Sequence, residues 1–325
     1  MEKRILFVVP AFILMASLFI AGHAYAKHVP PWTRTIDPIV STDWLSAHSA
    51  EVVVLDIRSP GDYAAGHIPS SINEPFVTAF DPCKGPSSNW ITGSDDCLWL
   101  QLPDANDLFA AIGNLGISKG SRVVIVTAPN PNEPPFFGLA NATRVADTLI
   151  YAGVKNVAIL DGGYPKWAAE IRPISTVPTT GTPVTYNAKV NKEMFVSIEY
   201  VRKHIGKAVI VDARDAEVYF GAAIEPFAPK EGHIPTARSL PTPWIWKLDS
   251  ESYIYKDAEI LSAMASGVVG RYKGIEAIVY CGVGGYASSW WFVLTQVLGY
   301  ENVKIYDGSA QEWVRYYDMV PYQWD

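Results

Sequence analysis

Ile278-Val279-Tyr280-Cys281-Gly282-Val283-Gly284-Gly285-Tyr286-Ala287 is the stretch on which the reading of this 325-residue chain turns. A short apolar run ends in a cysteine. Three glycines follow within four residues, and an apolar, helix-like segment then runs to Leu298. The pattern is strand, tight loop, helix. Glycines let such a loop curl so that successive main-chain N–H groups point inward. The start of the helix adds its own unpaired N–H groups and the positive end of its dipole. A cysteine at the mouth of this cradle is expected to hold a stabilised thiolate, the nucleophilic form. A buried core cysteine is the alternative, but a core residue needs no glycine loop.

Outward from this stretch, the second half of the chain repeats the first. Asp56-Ile57-Arg58 recurs as Asp212-Ala213-Arg214, and Gly66-His67-Ile68-Pro69 as Gly232-His233-Ile234-Pro235. Asp161-Gly162-Gly163, with Trp167, recurs as Asp307-Gly308-Ser309, with Trp313. The offset is 156 residues at the first mark, 166 at the second and 146 at the third. The second half therefore carries ten extra residues between Asp212 and His233. Two copies make a duplicated domain and not a solenoid. Alternation of short β-branched runs with helical patterns predicts an α/β fold, each half a mainly parallel sheet flanked by helices. Strands are expected at Val52–Asp56, Arg122–Thr127, Val157–Asp161, Val209–Asp212, Ala277–Tyr280 and Val303–Tyr306. Helices are expected at Trp44–Ala50, Asp104–Leu115, Leu139–Ala152 and Ala287–Leu298. Phe80–Trp99 reads as a long loop. Arg172–Val190, rich in Pro, Thr and Gly, reads as the connection between halves. Aligning the central strands sets Thr127 opposite Cys281, so one half looks catalytic and the other silent.

Composition narrows the function classes. The chain is 49% hydrophobic and 18% charged, a well-cored globular protein. Its formal net charge is −7 and it has no basic stripe, which argues against nucleic acid as a partner. Lys3 and Arg4 precede the apolar run Ile5–Gly22, and Ala24-Tyr25-Ala26 supplies a small-residue cleavage site before Lys27. This is a secretory signal pattern over residues 1–26, so a periplasmic or secreted protein is expected, with no membrane attachment after cleavage. A retained anchor is the alternative. In an oxidising compartment Cys83 and Cys97 can close a short loop, stabilising by about 3 kcal/mol in the chain-entropy model. Cys281 is then the unpaired thiol and the candidate reactive group.

These marks together resemble the rhodanese family of sulfurtransferases in its tandem form. The resemblance covers the chain from about Thr42 to Val320. After the signal segment at 1–26, it implies a silent rhodanese-like domain (42–172), a linker (173–195) and a catalytic one (196–325). It also implies that Cys281 takes a sulfane sulfur from a small anionic donor, of the thiosulfate or 3-mercaptopyruvate class, and becomes a persulfide. A thiol or cyanide then removes that sulfur. The amides of Gly282, Val283, Gly284, Gly285, Tyr286 and Ala287 would hold the thiolate and later the outer sulfur. Asp212 and Arg214 would brace the loop, and His233 would be structural. No metal or organic cofactor is required, because the chemistry is sulfur attacking sulfur. Two features depart from the family pattern. Where a substrate-binding arginine is usual, just before an aromatic, this chain has Val218 before Tyr219. The loop after Cys281 carries no cation, and its glycine resembles the mercaptopyruvate type. Lys230, Arg238 and Lys247 are candidate substitutes, and Trp244, Trp246 and Trp290 are candidate pocket walls.

Three other readings compete. Gly282–Ala287 fits a dinucleotide G-x-G-x-x-A fingerprint, but that motif opens a domain and this one nearly closes the chain. A cysteine phosphatase would need an arginine in the loop, and none follows before Arg315. A non-enzymatic role remains open: an exported persulfide or selenium carrier, or a module that binds an exported protein partner.

Overall fold

A computed structural model describes residues 34–129, 135–250 and 252–324. The signal segment read at 1–26 lies outside these residues.

Each half is built on a five-stranded, all-parallel sheet. In the first half the strands lie in the order Ile39–Val40, Asn156–Leu160, Arg122–Val126, Val53–Asp56, Ile72–Asn73. In the second the order is Phe195–Val196, Asn302–Tyr306, Glu276–Tyr280, Val209–Asp212, Ala237–Ser239. The order is the same in both. The apolar, β-branched runs are buried because helices cover both faces of a parallel sheet; all five residues of Asn156–Leu160 are buried.

Register confirms the alignment of the two halves. Asp56 pairs with Val126, and Asp212 with Tyr280, at matching places on the central strands. The next residue is Thr127 in one half and Cys281 in the other. Tyr164 N–H donates to the Thr127 carbonyl and Ala310 N–H to the Cys281 carbonyl, each at 2.9 Å. The bracing of each half is also duplicated. Arg58 and Arg214 each grip their aspartate with Nε at 3.0 Å and Nη2 at 2.6 Å. Each arginine then donates on to the carbonyl of the Gly in Gly-His-Ile-Pro, at 2.9 Å to Gly66 and 2.7 Å to Gly232. His67 stacks on Tyr63 and His233 on Tyr219, with ring centroids 3.7 and 3.9 Å apart. His233 is therefore held structurally, its Nδ1 3.0 Å from the Tyr219 carbonyl.

The helix boundaries differ modestly from expectation. The first helix spans Thr42–His48, because Ser41 and not Thr42 or Asp43 caps it; Ser41 Oγ accepts from Trp44 N–H at 3.1 Å. The helix after Arg122–Val126 begins at Pro135 and ends at Tyr151. The loop at 80–99 contains a small antiparallel hairpin, Ala79–Asp81 with Gly85–Ser87. The stretch at 172–190 has no helix or strand but is strapped to the first half. Ser175 and His67 exchange both main-chain bonds, as Val320 and His233 do in the second half. Tyr186, further along, is buried and donates to the Ala152 carbonyl at 2.8 Å.

The halves share one continuous apolar core. Helix Pro135–Tyr151 packs on helix Gly285–Phe292, the two being equivalent in their respective halves. Thr143 Oγ1 and Ser289 Oγ, at the same 146-residue offset, lie 2.8 Å apart across this contact. The aspartates of the Asp-Gly marks reach across reciprocally: Asp161 Oδ1 accepts from Tyr255 N–H at 2.9 Å, and Asp307 Oδ2 from Leu102 N–H at 3.0 Å. Buried Arg144 adds an ion pair to Asp307 at 2.8 Å. Among the described residues no helix is long and apolar enough to cross a membrane.

Candidate active site

Cys281 sits at the carboxyl end of the central strand Glu276–Tyr280, the usual place for a site in an open parallel sheet. Its side chain is 2% exposed, and it is the free cysteine of the chain. The glycine loop behaves as its composition predicts. Gly284, at φ 95°, turns the chain into helix Gly285–Phe292 and donates its N–H to Sγ at 3.1 Å. The main-chain amides of Val283 and Ala287 act on the sulfur in the same sense. Ser309, opposite, accepts from Cys281 N–H at 3.3 Å and donates to the Tyr306 carbonyl at 2.9 Å.

Electrostatics oppose one another here. The amides favour the thiolate, yet burial in an apolar surround, with Glu225 adding its charge, pushes the Cys281 thiol up. The cradle expected from the sequence is present, but desolvation outweighs it.

Behind the loop, Asp212 and Arg214 form a sealed ion pair with no exposed side-chain surface. Tyr280 ties this pair to the Gly-His-Ile-Pro segment: its hydroxyl donates to Asp212 at 2.5 Å and accepts from Ile234 N–H at 3.0 Å. The two residues read as braces do brace the strand end from which Cys281 projects.

Above Cys281 opens a cavity of about 360 Å³ built by both halves. Phe76, Phe80, Trp99 and Phe137 come from the first half, and Phe227, Val283 and Tyr286 from the second. Phe80 and Phe137, 64% and 39% exposed, stand at its mouth. Trp99 is fixed from both sides. Its N–H donates to Gln311 Oε1 and its carbonyl accepts from Gln311 Nε2, each at 2.9 Å, while its indole donates to the Cys83 carbonyl at 2.8 Å. Cys83 and Cys97 are disulfide-bonded, as the cysteine count suggested, with Cα atoms 4.6 Å apart. The crosslink thus closes the loop that presents Trp99.

Several candidates fall elsewhere. Trp246 and Trp290 are buried in the core and Trp244 faces solvent; none lines the cavity. Lys230 pairs with Asp318, Lys247 with Asp257, and Arg238 donates to the Val268 carbonyl. Among the described residues no lysine or arginine lines the cavity. The charged residue that does is Glu225, unforeseen from the sequence. It lies within the ten-residue insertion, which was the one signal pointing to it. Phe227 lies in the same insertion, and together they explain Gly282. A Cβ there would come within 2.5 Å of the Phe227 ring and 2.6 Å of Glu225 Oε2.

Comparison with known proteins agrees with this geometry. The family model of the rhodanese-like domain matches residues 41–170 and 197–316. A Synechococcus elongatus protein, named provisionally as a thiosulfate sulfurtransferase, is 27% identical over 93% of this chain and 92% of its own length. The sulfur carrier protein TtuD of Thermus thermophilus is 29% identical over 85% of this chain and 93% of its own. Among solved structures, the anaerobic ergothioneine biosynthesis enzyme of Chlorobium limicola, in complex with trimethyl histidine, superposes with a TM-score of 0.68. That match covers 87% of this chain and 71% of the other at 21% identity, a likeness of fold. The chain therefore belongs to the rhodanese-like family, as a tandem pair of domains of sulfurtransferase type.

Proposed function

We propose that this chain is an exported sulfurtransferase that carries sulfane sulfur on Cys281. One observation bears most of the weight: a lone thiol faces three main-chain amides at the floor of a cavity open to small molecules. The Cys281 thiolate attacks the outer sulfur of a donor of the thiosulfate or 3-mercaptopyruvate class. The donor's own bond to that sulfur breaks, and its electron pair leaves with the donor. The amides of Val283, Gly284 and Ala287 then hold the terminal sulfur of the persulfide. A thiol or cyanide attacks that sulfur, and the electron pair of the broken bond returns to Sγ. Asp212 and Arg214 act as positioning residues, and the first half supplies pocket wall. Export supplies the oxidising surroundings that the Cys83–Cys97 bond requires; the N-terminus of the mature protein is expected at Lys27.

The test is a mass spectrum of purified protein after incubation with each donor, followed by cyanide-dependent turnover. A gain of one sulfur on the peptide holding Cys281, absent in Cys281→Ser, is expected. Equal turnover in both proteins would falsify the reading. A persulfide carrier is the second reading, favoured by the absence of a lysine or arginine among the described residues lining the cavity and by likeness to a named sulfur carrier. A carrier would release its sulfur once to a partner and show no multiple turnover with small acceptors.

A further inference from the structure

The cavity over Cys281 has an unusual charge for a site expected to receive inorganic oxyanions. Among the described residues Glu225 is its charged lining residue, and no lysine or arginine lines it. The glutamate is held in place: Ala228 N–H donates to its carbonyl at 3.1 Å, and its Oε2 contacts the site that Gly282 leaves open. Its side chain is 20% exposed, yet Oε2 is buried and accepts no hydrogen bond. Arg214 offsets it only in part. Its Nη1 forms a long ion pair with Oε2 at 3.9 Å, beyond hydrogen-bond reach, while Nε and Nη2 of the same guanidinium are committed to Asp212 and the Gly232 carbonyl. Around the carboxylate stand aromatic rings from both halves, with Trp99 and Phe227 centroids 6.2 Å apart and Phe80 against Trp99 at 5.8 Å.

A carboxylate lacking a full partner, in a box of aromatic faces, is a receptor for positive charge. Cations are drawn to ring faces and to the carboxylate together, most strongly where water is excluded. An oxyanion beside Glu225 meets like charge and, among the described residues, no cationic side chain lining the cavity. We propose that this cavity selects an organic sulfur acceptor bearing a cationic nitrogen, such as an alkylammonium thiol, held between Glu225 and the walls formed by Trp99 and Phe227. The inference rests on Cys281 carrying transferable sulfur, and it names the class of partner. Burial, against the pull of Arg214 and with Asp212 and Asp215 adding to it, pushes the Glu225 carboxyl up to about 7, so a bound cation would also favour its charged form. In the step itself, the acceptor thiolate attacks the outer sulfur of the Cys281 persulfide and the Sγ–S bond breaks. Its electron pair returns to Sγ and the acceptor leaves as a persulfide, so no oxidant or reductant is consumed.

The full-length mature protein is loaded with inorganic polysulfide, and the gain of sulfur on Cys281 is verified by mass spectrometry. Discharge is then timed with three thiols of similar size: cysteamine, 2-mercaptoethanol and 3-mercaptopropionate. Rates are normalised to thiolate concentration. The expected order is ammonium, then neutral, then carboxylate, with at least about tenfold between the extremes, the weight of a single unscreened charge contact. Glu225→Gln should collapse that ratio and Glu225→Asp restore part of it. A competition arm on the unaltered protein needs no variant: tetramethylammonium chloride should slow cysteamine discharge, and sodium sulfate at matched ionic strength should not. A charge-independent order, a preference for the carboxylate thiol, or stronger competition by sulfate overturns the inference while leaving sulfur transfer intact. Failure of Cys281 to gain sulfur at all instead removes the transfer reading beneath it.

Discussion

At the end of its central strand the first half holds Thr127 and the second holds Cys281, and the two environments have opposite polarity. The Cys281 sulfur faces main-chain donors: the amides of Val283, Gly284 and Ala287. The Thr127 hydroxyl faces a main-chain acceptor and donates to the Gly138 carbonyl at 2.7 Å. A thiolate at the second place is held by N–H groups. An anion at the first would be pushed off by a carbonyl oxygen. Strand order, register and bracing ion pairs are shared, so the contrast isolates what the chemistry needs. The scaffold is common to both, and the group that meets the side chain at the strand end is not: main-chain amides in one, a main-chain carbonyl in the other.

Exchanging the two residues breaks this comparison most sharply. Thr127→Cys combined with Cys281→Ser should give no persulfide above background in the donor assay, although a thiol again sits at a strand end. Sulfur gained by the new cysteine would show that the scaffold alone suffices.

The bracing arginines come next. Arg58→Ala and Arg214→Ala each leave a buried aspartate without its cation, at a cost of about 3–5 kcal/mol in urea unfolding. Arg58 keeps slight exposure and Arg214 none, so Arg214→Ala should be the worse of the two. It should also lower sulfur transfer at temperatures where the protein remains folded, while Arg58→Ala should spare it.

A smaller effect concerns pH. Burial raises the Cys281 thiol and the negative charge of Glu225 raises it further, so alkylation by iodoacetamide should climb with pH into the alkaline range. Glu225 is itself faced by Arg214, Asp212 and Asp215, and Tyr286 shares the cavity. Removing the Glu225 charge favours the thiolate, so Glu225→Gln should move the alkylation profile toward lower pH. A profile that stays in place would show that the carboxyl does not act on the sulfur.

The smallest effect is at the contact between halves. Thr143→Ala should cost about 1 kcal/mol of stability by leaving Ser289 without its hydrogen-bond partner, with transfer unchanged. A large loss of transfer would mean that this contact tunes the site.

The duplicated scaffold was legible in the sequence because main-chain geometry fixes its marks. Asp212 must reach Arg214, Arg214 must reach the Gly232 carbonyl, and His233 must lie under Tyr219; each demand sets a residue type at a fixed spacing. The loop after Cys281 was legible for the same reason, since only glycines allow the turn at Gly284 and the close approach at Gly282. The cavity was not. Phe76, Phe80, Trp99 and Phe137 are brought over Cys281 by packing between halves, which leaves no periodic trace in either. Tryptophans near the second half's own motifs looked like better walls, yet Trp246 and Trp290 went into the core. Glu225 was signalled only as part of a length difference, because an insertion shows where to look without naming the side chain that matters.

The contact between Thr143 and Ser289 also fixes how the two halves are related in space. When a residue touches its own counterpart, the two lie on an axis of twofold symmetry, and the reciprocal reach of Asp161 and Asp307 is what isologous association of identical subunits produces. The two halves thus meet as identical subunits of a twofold dimer would, each reaching past the shared helices to the other.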